Sequence, residues 1–408
     1  MKKYLGITLG LLTAIGGYVD VGAIATAGEA GSKFGFGLVW AMLLGTLCII
    51  FLVEMVGRMA AVRDKTYADI LREKFGIKFA LLPLASELVA NFLILAAEIG
   101  GAAFALYLVT GISFQVWTFV VAFLLWLFLW RANFSIVEDG TGILGLITLC
   151  FLVAAFVLGV PWGRAAEETV LPSIGGGGSA VEYFYIATGI LGAIISPYLL
   201  FFYSSGGREE GWTRKSIRSN SIIAIVGMGF GSLSAISIIL VSAVALRPLG
   251  IQVSQLQTVA LGLVEAFGMW GVYLFAATLF ICCFGAAAEV ALALSYEITQ
   301  IMGWKYGEEK KPTEAAIFNL VFLTYIVGST LLIGLTGVDP LQLTIISVVF
   351  AALILPAIVV PFLAVMNDSA YLEDKTNGRL SNAIVLLIVL LAFALSATSI
   401  PLTILSGG

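Results

Sequence analysis

Asp20, Glu98 and Glu289 are the carboxylates best placed to do chemistry, because each lies well inside an apolar run. An ionised carboxylate at the centre of a bilayer is costly, so it should face a bound cation, water or a polar partner. Asp20 sits within Gly16-Gly17-Tyr18-Val19-Asp20-Val21-Gly22-Ala23, a glycine-rich stretch that favours interruption of a helix. A break there offers carbonyls and a cavity together, which suits Na+ or a hydrated divalent cation at Asp20. The alternative is an aspartate that bonds the loose backbone of its own break. Glu98, beside Gly100 and Gly101, and Glu289 could relay protons, hold a cation or pair with other polar groups, so both are coupling candidates. Glu54, Glu87, Glu138 and Glu182 fall nearer the ends of apolar runs and read as interfacial.

A second interruption is expected at Ala193-Ile194-Ile195-Ser196-Pro197-Tyr198. Pro197 has no N–H and pushes Ser196 out of the helical region. The half-helix beyond it opens with unpaired N–H groups and a positive dipole end, a ready anion site. Ser196, Tyr198, Tyr203, Ser204 and Ser205 add hydroxyls but no charge. Paired mid-membrane breaks mark the ion site of secondary transporters. The expected substrate- and ion-binding residues are therefore Asp20, Val21, Gly22, Ala23, Ala193, Ile194, Ser196, Pro197 and Tyr198.

The sequence contains no histidine, which removes the commonest general base. No nucleophile–base pair, phosphate loop or cofactor motif is visible, so an enzyme is not expected, nor any cofactor beyond a coupling ion. Nothing suggests nucleic-acid binding. Cys48, Cys150, Cys282 and Cys283 fall inside apolar runs without zinc-site spacing and read as small buried residues.

These residues need helices in lipid to position them. The 408-residue chain is 60% hydrophobic and 11% charged, and apolar runs of membrane-spanning length recur throughout. Eleven spans are expected, near 5–27, 36–57, 79–109, 114–130, 142–163, 182–205, 220–246, 268–301, 314–336, 340–365 and 380–406. With the N-terminus in the cytoplasm, all of the 21 Lys and Arg except Lys33, Arg164 and Arg247 fall on the inner side. That places the protein in the plasma membrane with an extracellular C-terminus. The segment 64–79 is basic and amphipathic and predicts a helix on the inner face. The loop 163–181, with Gly175-Gly176-Gly177-Gly178-Ser179, reads as a flexible linker between two five-span halves. The whole is one transporter domain: a first repeat near 5–163, a second, inverted one near 182–365, and an extra helix near 380–406. No oligomeric state is fixed by the sequence, and a monomer is compatible with it.

The pattern resembles the NRAMP family of divalent metal transporters, which has the LeuT fold. Gly16–Trp40, through Tyr18–Thr26 and Phe34–Trp40, is similar to the family's first-helix segment around Asp-Pro-Gly-Asn. Glu98 with Gly101-Ala102-Ala103 matches its third-helix acidic segment. Gly192–Leu199 matches its Met-Pro-His-Asn segment, and Leu355-Pro356 with Pro361 a tenth-helix segment. The resemblance implies an all-α, multi-span LeuT fold, with an inverted repeat of five plus five helices and an eleventh helix.

The departures bear on function. Asp20 is kept, but the family's Pro is Val21 and its metal-binding Asn is Ala23. Its Met is Ser196, its proton-linked His is Tyr198, and the Asn that follows is Leu199. The third-helix Asp falls on Leu95, the tenth-helix Gln on Val348, and the ninth span lacks an Arg. Soft and borderline ions want imidazole or sulfur ligands, and none remains here. The reading this favours is Na+-coupled transport of a small anion such as bicarbonate, with Na+ at Asp20 and the anion against the half-helix N-termini. The alternative is a transporter of hydrated Mg2+ or Mn2+, similar to the NRAMP-related magnesium transporters. A receptor or scaffold without transport is a third reading, disfavoured by carboxylates held in lipid.

Overall fold

The chain is almost wholly α-helical in a computed structural model, which describes residues 19–131, 145–172, 174, 178–307, 310 and 313–406. The expected break residues Gly16, Gly17 and Tyr18 lie outside the described residues, as do Glu138, Asp139 and Gly175–Gly177. The helices are α1 (Val21–Phe34), α2 (Val39–Arg63), α3 (Tyr67–Phe75), α4 (Ile77–Thr110) and α5 (Phe114–Arg131). There follow α6 (Leu149–Val157), α7 (Trp162–Val170), α8 (Ala180–Ile194), α9 (Tyr198–Glu209), α10 (Ile217–Ala245) and α11 (Leu256–Phe267). The chain ends with α12 (Trp270–Met302), α13 (Ala316–Thr336), α14 (Pro340–Met366) and α15 (Arg379–Ser406).

Caps explain many of the boundaries. The side chains of Asp20, Thr66, Ser179 and Asp339 each accept a hydrogen bond from a first-turn amide of α1, α3, α8 and α14. Gly111, Gly303 and Gly337 end α4, α12 and α13 in the left-handed conformation. α3 realises the amphipathic segment expected at 64–79; it buries Tyr67, Ala68, Ile70 and Leu71 and keeps Arg72 and Lys74 at its outer edge.

Among the described residues, nine helices are long and apolar enough to cross a membrane, or ten if one bent pair counts as a span. Eleven spans were expected, and two local differences account for the change. Only residue 19 onward of the first span is described. The fifth span stops at Val157, and the chain turns by 108° into α7. Gly159, at φ +67°, and Pro161 force that turn. The loop 163–181 is accordingly not all linker, because α7 fills its first part. α11 was not foreseen either; Gly268, at φ +62°, separates it from α12.

The layering decides where a site can lie. The span formed by α8 and α9 is 83% buried by neighbouring helices, against 28% for α5 and 33% for α13 and α15. The broken helix therefore runs through the centre, while α5, α13 and α15 form the rim. α12 packs along α4, and α14 along α4, α8 and α15; α10 covers α1 and α2.

Candidate functional site

The break in the α8–α9 span occupies residues 195–197, where Ile195 leaves the helical region and Pro197 opens α9. The Ser196 hydroxyl donates to the Ala193 carbonyl at 2.8 Å, and the Leu199 and Leu200 amides to the Ser196 and Pro197 carbonyls. α1 begins beside this break. A Cβ placed on Gly22 would lie 3.4 Å from that of Ala193 and 2.8 Å from Val348 Cγ1 of α14. One on Gly192 would lie 1.8 Å from the Val348 carbonyl oxygen. Glycine at Gly192 lets α8 and α14 meet backbone to backbone, and glycine at Gly22 lets α1 press against both.

The carboxylates divide the work at the start of α1. Asp20 Oδ1 accepts from the Ala23 amide at 2.6 Å. Glu98, from α4, accepts from the Val21 amide with both oxygens, at 3.3 and 3.4 Å. A Cβ on Gly101 would lie 2.6 Å from Cys283 Sγ and 3.1 Å from Val21 Cγ2, so that glycine admits both neighbours. Glu98 lies in the field of Asp20 and Glu289, Glu289 in that of Asp20, and the buried Tyr198 in that of all three. Asp20, Glu98, Ser196, Tyr198 and Glu289 are each no more than 5% exposed.

Gly22 and Ala193 thus meet across a seam between α1 and α8 that Val348 closes; Asp20, Val21 and Ala23 stand at the start of α1 beside Glu98, Ile194, Ser196, Pro197 and Tyr198 make up the break, and Glu289 lies on α12. One expectation is corrected. The N-terminus of α1 is no open anion cradle, because Asp20 and Glu98 already occupy its Val21 and Ala23 amides. A second correction concerns Glu87, read as interfacial. It is fully buried on α4 against Asn91 and Glu297. Glu54 and Glu182 do lie toward span ends, paired with Arg58 and Lys33. Sequence reasoning put Val348 at a ligand position by resemblance but not as the wall between α1 and α8, and it passed over Glu297.

Among the described residues, no three His, Cys, Asp or Glu side chains stand close enough to ligate one ion directly. A cation at this seam would be held by Asp20, carbonyls and its own water, with the other carboxylates acting through the field. Hard ions tolerate such a shell, and Mg2+ in particular keeps several waters.

Comparison with known proteins agrees with this architecture. The family profile Nramp, "Natural resistance-associated macrophage protein-like", matches residues 10–401. The "Divalent metal cation transporter MntH" of Acidiphilium cryptum is 28% identical over 241 residues, 57% of this chain and 54% of that protein. This chain spans little more than half the length of that relative and of three further proteins of the kind, 54% to 58%. The protein of the same name in Ralstonia nicotianae is 28% identical over 394 residues, 92% of this chain and 86% of that one. Among solved structures, the manganese transporter of Eremococcus coleocola superposes with a TM-score of 0.75 at 20% identity, over 96% of this chain and 85% of that one. The LeuT-type fold expected from the sequence is the fold found.

Proposed function

Because this chain belongs to the Nramp family, a family of membrane transporters, we propose that it carries a hydrated divalent cation, Mg2+ or Mn2+, bound between its two helix breaks. One observation supports this over an anion: the amides that would attract negative charge at α1 are already held by carboxylates. A bicarbonate at the seam would meet Asp20, Glu98 and Glu289. At ~5 Å and an effective dielectric near 20, each contact with an ionised carboxylate costs a monoanion about 3 kcal/mol and favours a divalent cation by about twice that. The names of the relatives point the same way.

In this reading Asp20 anchors the ion through its shell. Carbonyls of Ile194 and Ile195 at the break and the hydroxyls of Ser196 and Tyr198 complete the polar lining. Val21, Gly22, Ala23 and Pro197 supply the close backbone approach. Glu98 and Glu289 are the coupling groups, able to take up a proton or sense Na+ as the ion leaves. The basic loops face the cytoplasm, as their distribution suggests, and the substrate exchanges across the plasma membrane.

A second reading, Na+-coupled transport of bicarbonate, keeps one feature in its favour. α9 opens behind Ser196 with no acidic residue in its first turn. Proteoliposomes separate the two. Mn2+ or Mg2+ flux that is lost in Asp20→Ala supports the cation. No divalent flux, together with a Na+-dependent bicarbonate signal from an internal pH dye, overturns it.

A further inference from the structure

A second buried acidic cluster lies on the same two helices, away from the breaks. On α4, Glu87 is eleven residues before Glu98, close to three full turns, so it shares a face about 16 Å nearer the end that carries the basic loops. On α12, Glu297 lies eight residues beyond Glu289, about 12 Å in the same direction. Asn91 stands between the two carboxylates. Its Nδ2 donates to Glu87 Oε2 at 2.9 Å and to Glu297 Oε1 at 3.5 Å. All three side chains are fully buried.

What remains is an unanswered set of acceptors. Glu87 Oε1, Asn91 Oδ1 and Glu297 Oε2 have no hydrogen-bond partner, and neither does Gln300 Oε1 one turn along α12. Among the described residues no Lys or Arg pairs with either carboxylate. Buried acceptors left without donors are expensive, and a buried like-charged pair more so. A single proton removes one charge and supplies one donor, which leaves Asn91 Oδ1 and Gln300 Oε1 unanswered if the two carboxylates share it. A doubly charged cation neutralises both glutamates and uses the amide oxygen as well. The donor set is oxygen only, which selects a hard ion.

We propose that Glu87, Asn91 and Glu297 form a second binding site for a hard divalent cation, distinct from the helix breaks. The Gln300 Nε2 group donates to Ser205 Oγ on α9 at 2.8 Å, so the cluster is also tied to the second half of the broken helix. The inference does not depend on what crosses the membrane at the breaks.

The test is Mn2+ binding to the purified full-length protein in detergent, counted by calorimetry and by the loss of free-Mn2+ electron paramagnetic resonance signal. Asp20→Ala should retain one saturable Mn2+ site, and adding Glu297→Gln should remove it. Asn91→Asp supplies a third carboxylate and should bind Mn2+ at least tenfold more tightly, with Mn2+ raising its unfolding midpoint more than that of the parent. The Asn91→Asp gain keeps the test decisive if a glutamate variant folds poorly. Unchanged Mn2+ stoichiometry in Asp20→Ala/Glu297→Gln, or an Asn91→Asp protein indifferent to Mn2+, overturns the site. Failure of divalent flux in proteoliposomes with this binding intact would instead strike only at the transport reading.

Discussion

Gly22, Gly192 and Val348 give a sharp quantitative test of how α1, α8 and α14 are joined. A methyl group on Gly22 would sit 2.8 Å from Val348 Cγ1, and ordinary contact begins near 3.4 Å, so a side chain must yield about 0.6 Å. A methyl on Gly192 would sit 1.8 Å from the Val348 carbonyl oxygen, so a backbone must yield about 1.6 Å. Overpacking of a core costs ~1–3 kcal/mol. Gly22→Ala belongs near the bottom of that range and Gly192→Ala at or above the top. Val348→Ala removes the nearer of the two atoms that oppose Gly22→Ala, the other being Asp20 Oδ1 at 3.1 Å, but leaves the carbonyl that opposes Gly192→Ala. A double-mutant cycle should therefore show a favourable coupling of about 1 kcal/mol for the first pair and close to none for the second. The assay is the thermal unfolding midpoint of detergent-purified variants, followed by tryptophan fluorescence at one heating rate. A Gly192→Ala protein as stable as the parent, or one rescued by Val348→Ala, would refute the close approach of α8 to α14.

Three further outcomes are expected. Glu98→Gln keeps an acceptor for the Val21 amide but exchanges a charged bond for a neutral one, so stability should fall by about 1 kcal/mol and Mn2+ affinity several-fold by calorimetry. Tyr183 donates to the Gly37 carbonyl at 2.6 Å and accepts from Trp40 Nε1 at 2.7 Å, so Tyr183→Phe should cost ~1–3 kcal/mol, and Trp40→Phe should add little to it in a thermal midpoint series. The Lys74 ammonium, by its hydrogen bond, and then the Ala370 amide hold Asp368 below its ordinary value of 3.8. That contribution is present above the ordinary value and is lost as pH falls through the lowered one. Asp368→Asn should thus lower the midpoint at neutral pH and flatten the acid side of a midpoint-versus-pH curve, the two proteins converging below about pH 4.

Local chemistry made much of this legible. Pro197 announces a break, and the helices indeed stop at Ile194 and resume at Tyr198. The long apolar runs became helices with ends close to those expected, because in lipid the backbone must bond within its own segment. What escaped was set by partners remote in sequence. Nothing near Glu98 says that it reaches the Val21 amide, 77 positions away. Glu87 looked interfacial by its distance from a span end, yet α12 covers it with Glu297. Val348 read as a lost polar ligand, and only the packing of Gly22 and Gly192 makes it the wall of the seam. The bend after Val157 rests on Gly159 and Pro161, which are visible in the sequence, but its angle is not.

The grip of Glu98 on α1 has a mechanical corollary. That helix is fastened at its first peptide by a group belonging to another element, whereas Asp20 merely staples its own turn. Whatever claims the electrons of Glu98, a proton or an arriving metal shell, also weakens the tie between α1 and α4. Occupancy is thereby turned into slack at a joint, and one chemical event loosens one hinge without any lever between them.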